Sequence, residues 1–536
     1  MNHSDTHTWD ALIIGAGLSG MYQLHALRDR LGMKVKVLEA AAGVGGTWYH
    51  NRYPGARCDS ESHSYMFYFS KALLQSWEWS ERYPQQPEIL RYMNHVADFF
   101  SLRQDMVFNT RVTSAHYDEA HHLWRVHTDQ GEVWSTQFLI TAVGCLSSAS
   151  VPDIAGLSDF QGTWVHTGQW PHEGVAMQGK RVGVVGTGSS GIQAIPVIAE
   201  QAGHLTVFQR TANYSIPARN APLSDGFKQR LKAHPEETLA IMQQTPNGHC
   251  FPIQPRGVFE VSDEEREAIY QASWEKGGLQ FRATFNDLLR DTRANQTAAD
   301  FIRKKIRATV KDPATAELLS DIDHPFAAKR PPIDSHYFET FNRDNVRLVD
   351  IRRHPIERIT ATGIQTTQGH VDLDVIVFAT GFDAMTGSLL RMNLVGRQGL
   401  RLKDFWQAGP RTYLGLQIPG FPNLFTITGP GSPSVLCNLP PQIEQHVNWI
   451  TDCLAHLKQH RYTCMEAQPA ASEDWGRQVN EAAEATLMSK VPHSWYLGAN
   501  VPGKPKVFMP YAGGLPRYRD ICAEVAAQGY QGFDLR

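Results

Sequence analysis

The chain has 536 residues, 42% of them hydrophobic and 20% charged, with a formal net charge of −3. That length fits two to four domains, the composition excludes a mainly disordered chain, and the near-neutral charge gives no strong pull toward nucleic acid or an anionic membrane. No apolar run reaches the roughly 18 residues of a spanning helix. The first ten residues are polar with no signal-like apolar region. Seven cysteines (Cys58, Cys145, Cys250, Cys437, Cys453, Cys464, Cys522) stand singly. That spacing argues against a disulfide framework, a zinc ribbon or a dithiol centre, and the expected setting is the reducing cytoplasm.

In chain order, Trp9–Ile14 reads as a buried parallel strand. Gly15-Ala16-Gly17-Leu18-Ser19-Gly20 follows, then a helix from Met21 to Leu31 and a second strand from Lys34 to Glu39. The same grammar returns at Arg181–Val185, Gly186-Thr187-Gly188-Ser189-Ser190-Gly191, a helix over Ile192–Gln201 with Pro196 as a kink or boundary, and a strand over His204–Arg210. Residues 216–327 mix charge and apolar positions at helical spacing, notably Ser262–Trp274 and Ala298–Val310, and predict an inserted helical subdomain. Strand patterns reappear at Val346–Val349, Val371–Phe378 and Asn423–Thr428, and a long helix runs from about Pro441 to His460. The last forty residues, rich in Gly, Pro and aromatics, read as a functional loop. The expected class is α/β, with two Rossmann-like units. The first spans 1–145 and 383–536, the second 146–215 and 328–382, and the helical insertion 216–327.

Each G-x-G-x-x-G sits between a predicted strand and a predicted helix, the context that gives this otherwise weak motif meaning. The glycines permit a tight turn and close approach of a pyrophosphate to the helix N-terminus. In the first unit Gly15, Gly17 and Gly20 form the turn, and Glu39 ends the second strand where a carboxylate accepts ribose hydroxyls. That fits FAD or NAD and disfavours a 2′-phosphate. In the second unit Gly186, Thr187, Gly188, Ser189 and Gly191 form the turn, and Arg210 stands where a cation pairs with the 2′-phosphate of NADP. The plainer readings are a glycine-rich turn in an unrelated α/β fold and a solvated strand-end charge.

Between the two turns lies Phe160-Gln161-Gly162-Thr163-Trp164-Val165-His166-Thr167-Gly168-Gln169-Trp170-Pro171. This segment resembles the signature of the type I Baeyer–Villiger monooxygenases at every fixed position: Phe160, Gly162, His166, Trp170 and Pro171. The resemblance extends over nearly the whole chain. Gly45-Gly46-Thr47-Trp48-Tyr49 resembles the family's flavin-contacting loop, with Gly46, Thr47 and Trp48 against FAD. Arg52–Asp59 resembles the segment carrying its active-site Asp, here Asp59. Ala328-Lys329-Arg330-Pro331 resembles the segment holding a 2′-phosphate Lys and the active-site Arg, here Lys329 and Arg330. Phe378–Asp383 resembles the linker back to the FAD domain. Ser494–Lys504 resembles a mobile loop in which Trp495 contacts NADP. Gly429–Asn438 looks closer to the phenylacetone monooxygenase branch than to the cyclohexanone branch.

The resemblance implies an enzyme using FAD, NADPH and O₂ to convert ketones to esters or lactones through a C4a-peroxyflavin and a tetrahedral (Criegee) intermediate. Arg330 would favour the peroxide anion and the following oxyanion, and Asp59 would pair with it and aim it. An ordinary structural ion pair is the bland alternative. His166 and its signature neighbours are expected to couple domains rather than transfer protons. The histidines show no H-x-x-H or H-E-x-x-H metal pattern. Val435, Leu436 and Leu439 are candidates for a substrate pocket, or plain core. An apolar pocket with one cation fits a small neutral ketone.

Sulfoxidation is an expected side activity. The competing readings are a flavin monooxygenase oxidising sulfur or nitrogen, and a flavin redox sensor or NADPH oxidase. Paired redox cysteines are lacking, which disfavours a disulfide reductase.

Overall fold

The computed structural model describes residues 8–536; residues 1–7, most of the polar N-terminal stretch, lie outside the described residues. Strand β1 (Thr8–Ile14) is buried from Ala11 onward, as an apolar run covered on both faces should be. After the first glycine turn comes α1 (Leu18–His25), which continues as a π-helical turn over Ala26–Arg30. Strand β2 (Val35–Leu38) then lies parallel to β1, with Ala11 opposite Val35. A short β3 (Met106–Val107) extends that edge. Strands β4 (Val112–Asp118), β5 (Leu123–Thr128) and β6 (Val133–Thr141) form an antiparallel meander. β6 also runs parallel to β1, with Ile13 opposite Ile140, so it joins the two halves of one sheet.

The second unit repeats the plan. It comprises β7 (Thr163–His166), β8 (Arg181–Val185), α2 (Ser189–Gln201), β9 (His204–Gln209), β10 (Val346–Asp350) and β11 (Val375–Phe378). The strands are all parallel, in the order β10-β9-β8-β11-β7. Pro196 does not end or divide the helix as its chemistry suggests, because α2 continues through it. A proline there forfeits one backbone bond, and the buried face of Ile192, Ile195, Ile198 and Ala199 holds the helix regardless.

The run Val371–Phe378 is not one strand. Gly369–Asp372 closes a three-stranded antiparallel sheet with Ile356–Thr360 and Gly363–Thr366. β11 is central in the second sheet. Asp374 separates them: its carboxylate accepts from the Arg181 backbone N–H (2.9 Å) and guanidinium (2.7 Å).

Between Ile216–Pro217 and Ile333–Asp334 lie five α-helices, Asp225–Ala233, Pro235–Gln244, Asp263–Lys276, Thr292–Thr309 and Pro313–Ser320. Four begin at Ser224, Ser262, Asp291 or Asp312, whose side chains accept amide N–H bonds. Ile216–Pro217 pairs with Ile333–Asp334, which brings the ends of this helical segment together.

The chain then returns to the first sheet. Strand β12 (Asn393–Val395) joins β4, and β13 (Leu424–Thr426) lies parallel to β6. Helix α3 (Leu439–His460) packs on α1. The last forty residues are not all loop. Leu515–Ala527 is a helix, burying Leu515, Tyr518, Cys522 and Val525 at helical spacing, and Phe533–Leu535 pairs with Met465–Ala467. Among the described residues no helix is long and apolar enough to cross a membrane.

Candidate active site

The two glycine turns are near-copies in atomic detail. Gly15 has φ +105°, and a Cβ there would lie 2.7 Å from the Ala142 carbonyl oxygen; Gly186 has φ +112°, with the Ala379 oxygen 2.6 Å away. A Cβ on Gly20 would lie 1.8 Å from the Gly15 oxygen, and one on Gly191 would lie 2.2 Å from the Gly186 oxygen. Both obstacles are backbone, so neither can swing aside. Gly17 and Gly188 cap α1 and α2 with no side chain, which leaves the helix amides open to an anion. Gly191→Ala is therefore expected to raise the NADPH KM by about ten- to a hundredfold while the bound flavin remains. Steady-state kinetics beside flavin absorbance checks both.

Glu39 is buried at the end of β2. Its oxygens accept the Ala16 N–H (2.6 Å) and the Ala41 N–H (2.7 Å), which fixes the carboxylate beside the turn with further lone pairs for ribose hydroxyls. Gly46 (φ +51°) lies against Gly17, where a Cβ would come within 3.1 Å of the Gly17 Cα. The helical turn Thr47–His50 follows, and the buried Trp48 donates its indole N–H to the Tyr65 hydroxyl (3.2 Å). These features fit a dinucleotide lying across the first turn.

In the second unit Thr187 is buried and donates to the Thr211 carbonyl (2.9 Å), and Ser189 opens α2 at the surface. Arg210 is exposed just past β9, and Lys329 is half-buried nearby. Burial lowers the Lys329 ammonium below its ordinary range; Asp323 opposes this, and the positive charge of Arg210 adds to it. Two cations facing one space fit a phosphate dianion.

Asp59 and Arg330 meet side-on. Nε donates to Oδ2 (2.6 Å) and Nη2 to Oδ1 (2.8 Å). Nη2 also reaches Ser60 Oγ (3.3 Å), and the Arg330 backbone N–H donates to the Tyr496 hydroxyl (3.0 Å). Nη1 has only long contacts, to the carbonyls of Val435 (3.5 Å) and Cys437 (3.4 Å). It is the edge of the fork most free to serve an incoming acceptor. Burial works against the charge, but Asp59 more than offsets it and holds the guanidinium above its ordinary value. The loop carrying Asp59 is clamped onto α2: Tyr53 donates to Gln193 Oε1 (2.8 Å), and Gln193 Nε2 donates to the Arg57 carbonyl (3.1 Å).

The signature residues lie away from this pair. His166, buried at the end of β7, accepts the Gly168 N–H on Nδ1 (3.0 Å) and meets Phe382 edge-on at 5.9 Å. Burial pushes its pKa down to about 4, so the ring is neutral at pH 7. Phe160 and Trp170 are buried in the second unit, and a Cβ on Gly162 would lie 2.5 Å from the Asp374 oxygen. Pro171 is half-buried and accepts the Gly174 N–H (3.1 Å).

Phe382, which His166 touches, belongs to the linker after β11. The loop Ser494–Lys504 docks on that linker. Asn500 donates to the Phe382 carbonyl (2.8 Å), and Lys504 bonds Asp383 (2.5 Å) and the Ala384 carbonyl (2.8 Å). Trp495 is half-buried against Tyr496, their rings 4.5 Å apart.

The three pocket candidates do not stay together. Val435 and Leu436 are buried with Trp495 and Tyr496, whereas Leu439 opens α3 and packs on the core of the first unit. Arg282, on the 3₁₀ turn Leu279–Ala283, stands close enough to Arg330 for the two charges to repel. Sequence reading missed it, along with Gln193, Ser60 and the Tyr496 hydroxyl. Gln193 follows the second glycine turn by two residues, and only the position of the docked loop reveals its role.

Comparison with known proteins follows the same lines. Residues 12–263 match the family model described as pyridine nucleotide-disulphide oxidoreductase, although all seven cysteines here are free. The chain is 42% identical over 531 residues to the cyclohexanone 1,2-monooxygenase of Acinetobacter sp., covering 98% of this chain and 97% of that one. It is 43% identical over 526 residues to a Baeyer–Villiger monooxygenase of Pseudooceanicola batsensis, covering 97% and 95%. A solved structure of oxidized steroid monooxygenase bound to NADP superposes with a TM-score of 0.94 at 52% identity, covering 98% of this chain and 99% of that one.

Fold, site and relatives together define a monooxygenase built on two dinucleotide-binding units. Within that class, the chain belongs to the Baeyer–Villiger monooxygenase family.

Proposed function

We propose that this chain binds FAD in the first unit and NADPH in the second, and inserts one oxygen atom of O₂ beside the carbonyl of a ketone. The balance is ketone, O₂, NADPH and a proton in; ester or lactone, NADP⁺ and water out. The observation that carries the reading is the side-on Asp59–Arg330 pair, held by one loop from each unit. Bound FAD, once reduced by NADPH, supplies the activated oxygen. The protein does the rest. Glu39 receives ribose hydroxyls beside the turn of Gly15, Gly17 and Gly20, with Gly46, Thr47 and Trp48 across it. Arg210 and Lys329 hold the 2′-phosphate beside the turn from Gly186 to Gly191. Arg330 keeps a permanent positive charge where negative charge develops on oxygen, and Asp59 fixes its orientation. Trp495 and the loop docked on the linker limit water access. We place the FAD domain at 1–145 and 383–536, the NADP domain at 146–215 and 328–382, and the helical insertion at 216–327.

The test is purified flavoprotein with NADPH, O₂ and a panel of linear, cyclic, aryl and steroid ketones plus one sulfide. Ester or lactone is followed beside NADPH loss and hydrogen peroxide. Ester coupled to NADPH supports the reading, and sulfoxide beside it fits the proposed side activity. Sulfoxide without ester transfers the chain to heteroatom oxidation, and hydrogen peroxide alone returns it to an oxidase or sensor.

A further inference from the structure

Arg330 and Arg282 form a pair of cations with one counter-ion between them. Both oxygens of Asp59 are taken by Arg330. Arg282 makes no hydrogen bond, ion pair or ring contact among the described residues, yet it is only partly accessible to solvent. The turn that carries it is held in place. Its neighbours Leu279, Phe281 and Ala283 are buried, and the Ala283 carbonyl accepts the Gln254 N–H (2.9 Å).

The groups around it belong to the site already described: Arg330, Tyr496, Cys437 and Asp59. The Cys437 carbonyl is also one of the two that face Arg330 Nη1. His249, only 2% exposed, lies within the field of both guanidinium groups, its Nε2 has no hydrogen-bond partner, and its ring stacks on Phe251 at 5.1 Å. Asn438, 1% exposed, gives its amide protons to the Ser64 and Gly248 carbonyls and leaves Oδ1 unpartnered. Burial and the like charge of Arg330 lower the Arg282 guanidinium to about 10, which leaves it charged at pH 7.

A partly buried guanidinium without a counter-ion, in a site that closes against water, is costly unless its ligand brings the charge. NADPH does not need this residue, because Arg210 and Lys329 are the cations suited to its 2′-phosphate. A carboxylate matches the planar donor fork of arginine. Resting on the proposed function, we propose that Arg282 is the anion-binding residue of the substrate site, and that the preferred ketone carries a carboxylate. The substrate is then a keto acid rather than a neutral ketone, with its carbonyl at Arg330 and its carboxylate at Arg282.

The experiment uses FAD-loaded enzyme and matched pairs: levulinate and its next two homologues, and a ring ketone with a short carboxylate side chain, each against its methyl ester. The readout is the ratio of kcat/KM for acid to kcat/KM for ester, which a general structural defect does not move. The native enzyme is expected to favour an acid by about tenfold or more, and Arg282→Leu to lower that ratio about thirtyfold, with part recovered in Arg282→Lys. A native preference for every ester, or a ratio unchanged in Arg282→Leu, overturns the proposal. So does a rise in the NADPH KM with the ratio fixed, which would assign Arg282 to the nucleotide. If Arg282→Leu fails to accumulate with flavin, the acid-to-ester preference of the native enzyme decides alone. Absence of ester or lactone from every ketone, charged or neutral, would instead sink the proposed function itself.

Discussion

Arg330→Ala is expected to lower ester formation by about a thousandfold, while NADPH oxidation continues and its electrons emerge as hydrogen peroxide. The split follows from the geometry. The cations suited to the NADPH phosphate are Arg210 and Lys329, whose side chains make no hydrogen bond or ion pair to Asp59 or Arg330, so reduction has its own contacts. Stabilising a negative oxygen beside the carbonyl depends on Arg330 alone among the groups paired there. Arg330→Lys is expected to recover little, because an ammonium cannot give Asp59 two parallel bonds and also present a free edge. Breaking a fully buried pair costs about 3–5 kcal/mol and this partly buried one less, so flavin content and thermal stability belong beside the product assay. Asp59→Asn provides the control: it keeps an acceptor for Nε, loses the charge that fixes the fork, and should fall between native and Arg330→Ala. Equal loss of NADPH oxidation and ester in Arg330→Ala would contradict the separation.

The second large effect lies at Arg210, just past β9, and Lys329. Arg210→Ala with Lys329→Ala is expected to lower the preference for NADPH over NADH by about a hundredfold or more, since each charge-assisted bond to phosphate is worth about 1.5–3 kcal/mol. The ratio of kcat/KM for the two nucleotides isolates the 2′-phosphate. Gly191→Ala offers the contrast, because a methyl group against the Gly186 backbone weakens both nucleotides and leaves their ratio in place. A double variant that loses NADPH and NADH equally would show that these two cations do not read the phosphate.

Much of this was legible in the chain itself. The glycine turns were visible because only glycine tolerates φ near +110° with a carbonyl oxygen less than 3 Å from the Cβ position. Asp59 and Arg330 were legible only through resemblance, since they stand far apart in sequence and no local pattern links them. Arg282 carried no signal at all. Its turn lies unmarked inside the helical insertion, and its meaning comes from the absence of a partner, a three-dimensional fact. The split of Val371–Phe378 was half-legible: alternation up to Leu373 gives way to an unbroken apolar run, as an exposed hairpin strand gives way to a central parallel one.

The placement of β13 bears on how the molecule is made. The inner half of the outer edge of β6 is covered only by Leu424–Thr426, which leave the ribosome after the whole second sheet. The unit encoded second can therefore close first, while the one begun first waits with an open strand edge. A nascent chain stalled before Thr426 would present that edge to chaperones, and flavin can be captured firmly only after Leu424–Thr426 has emerged.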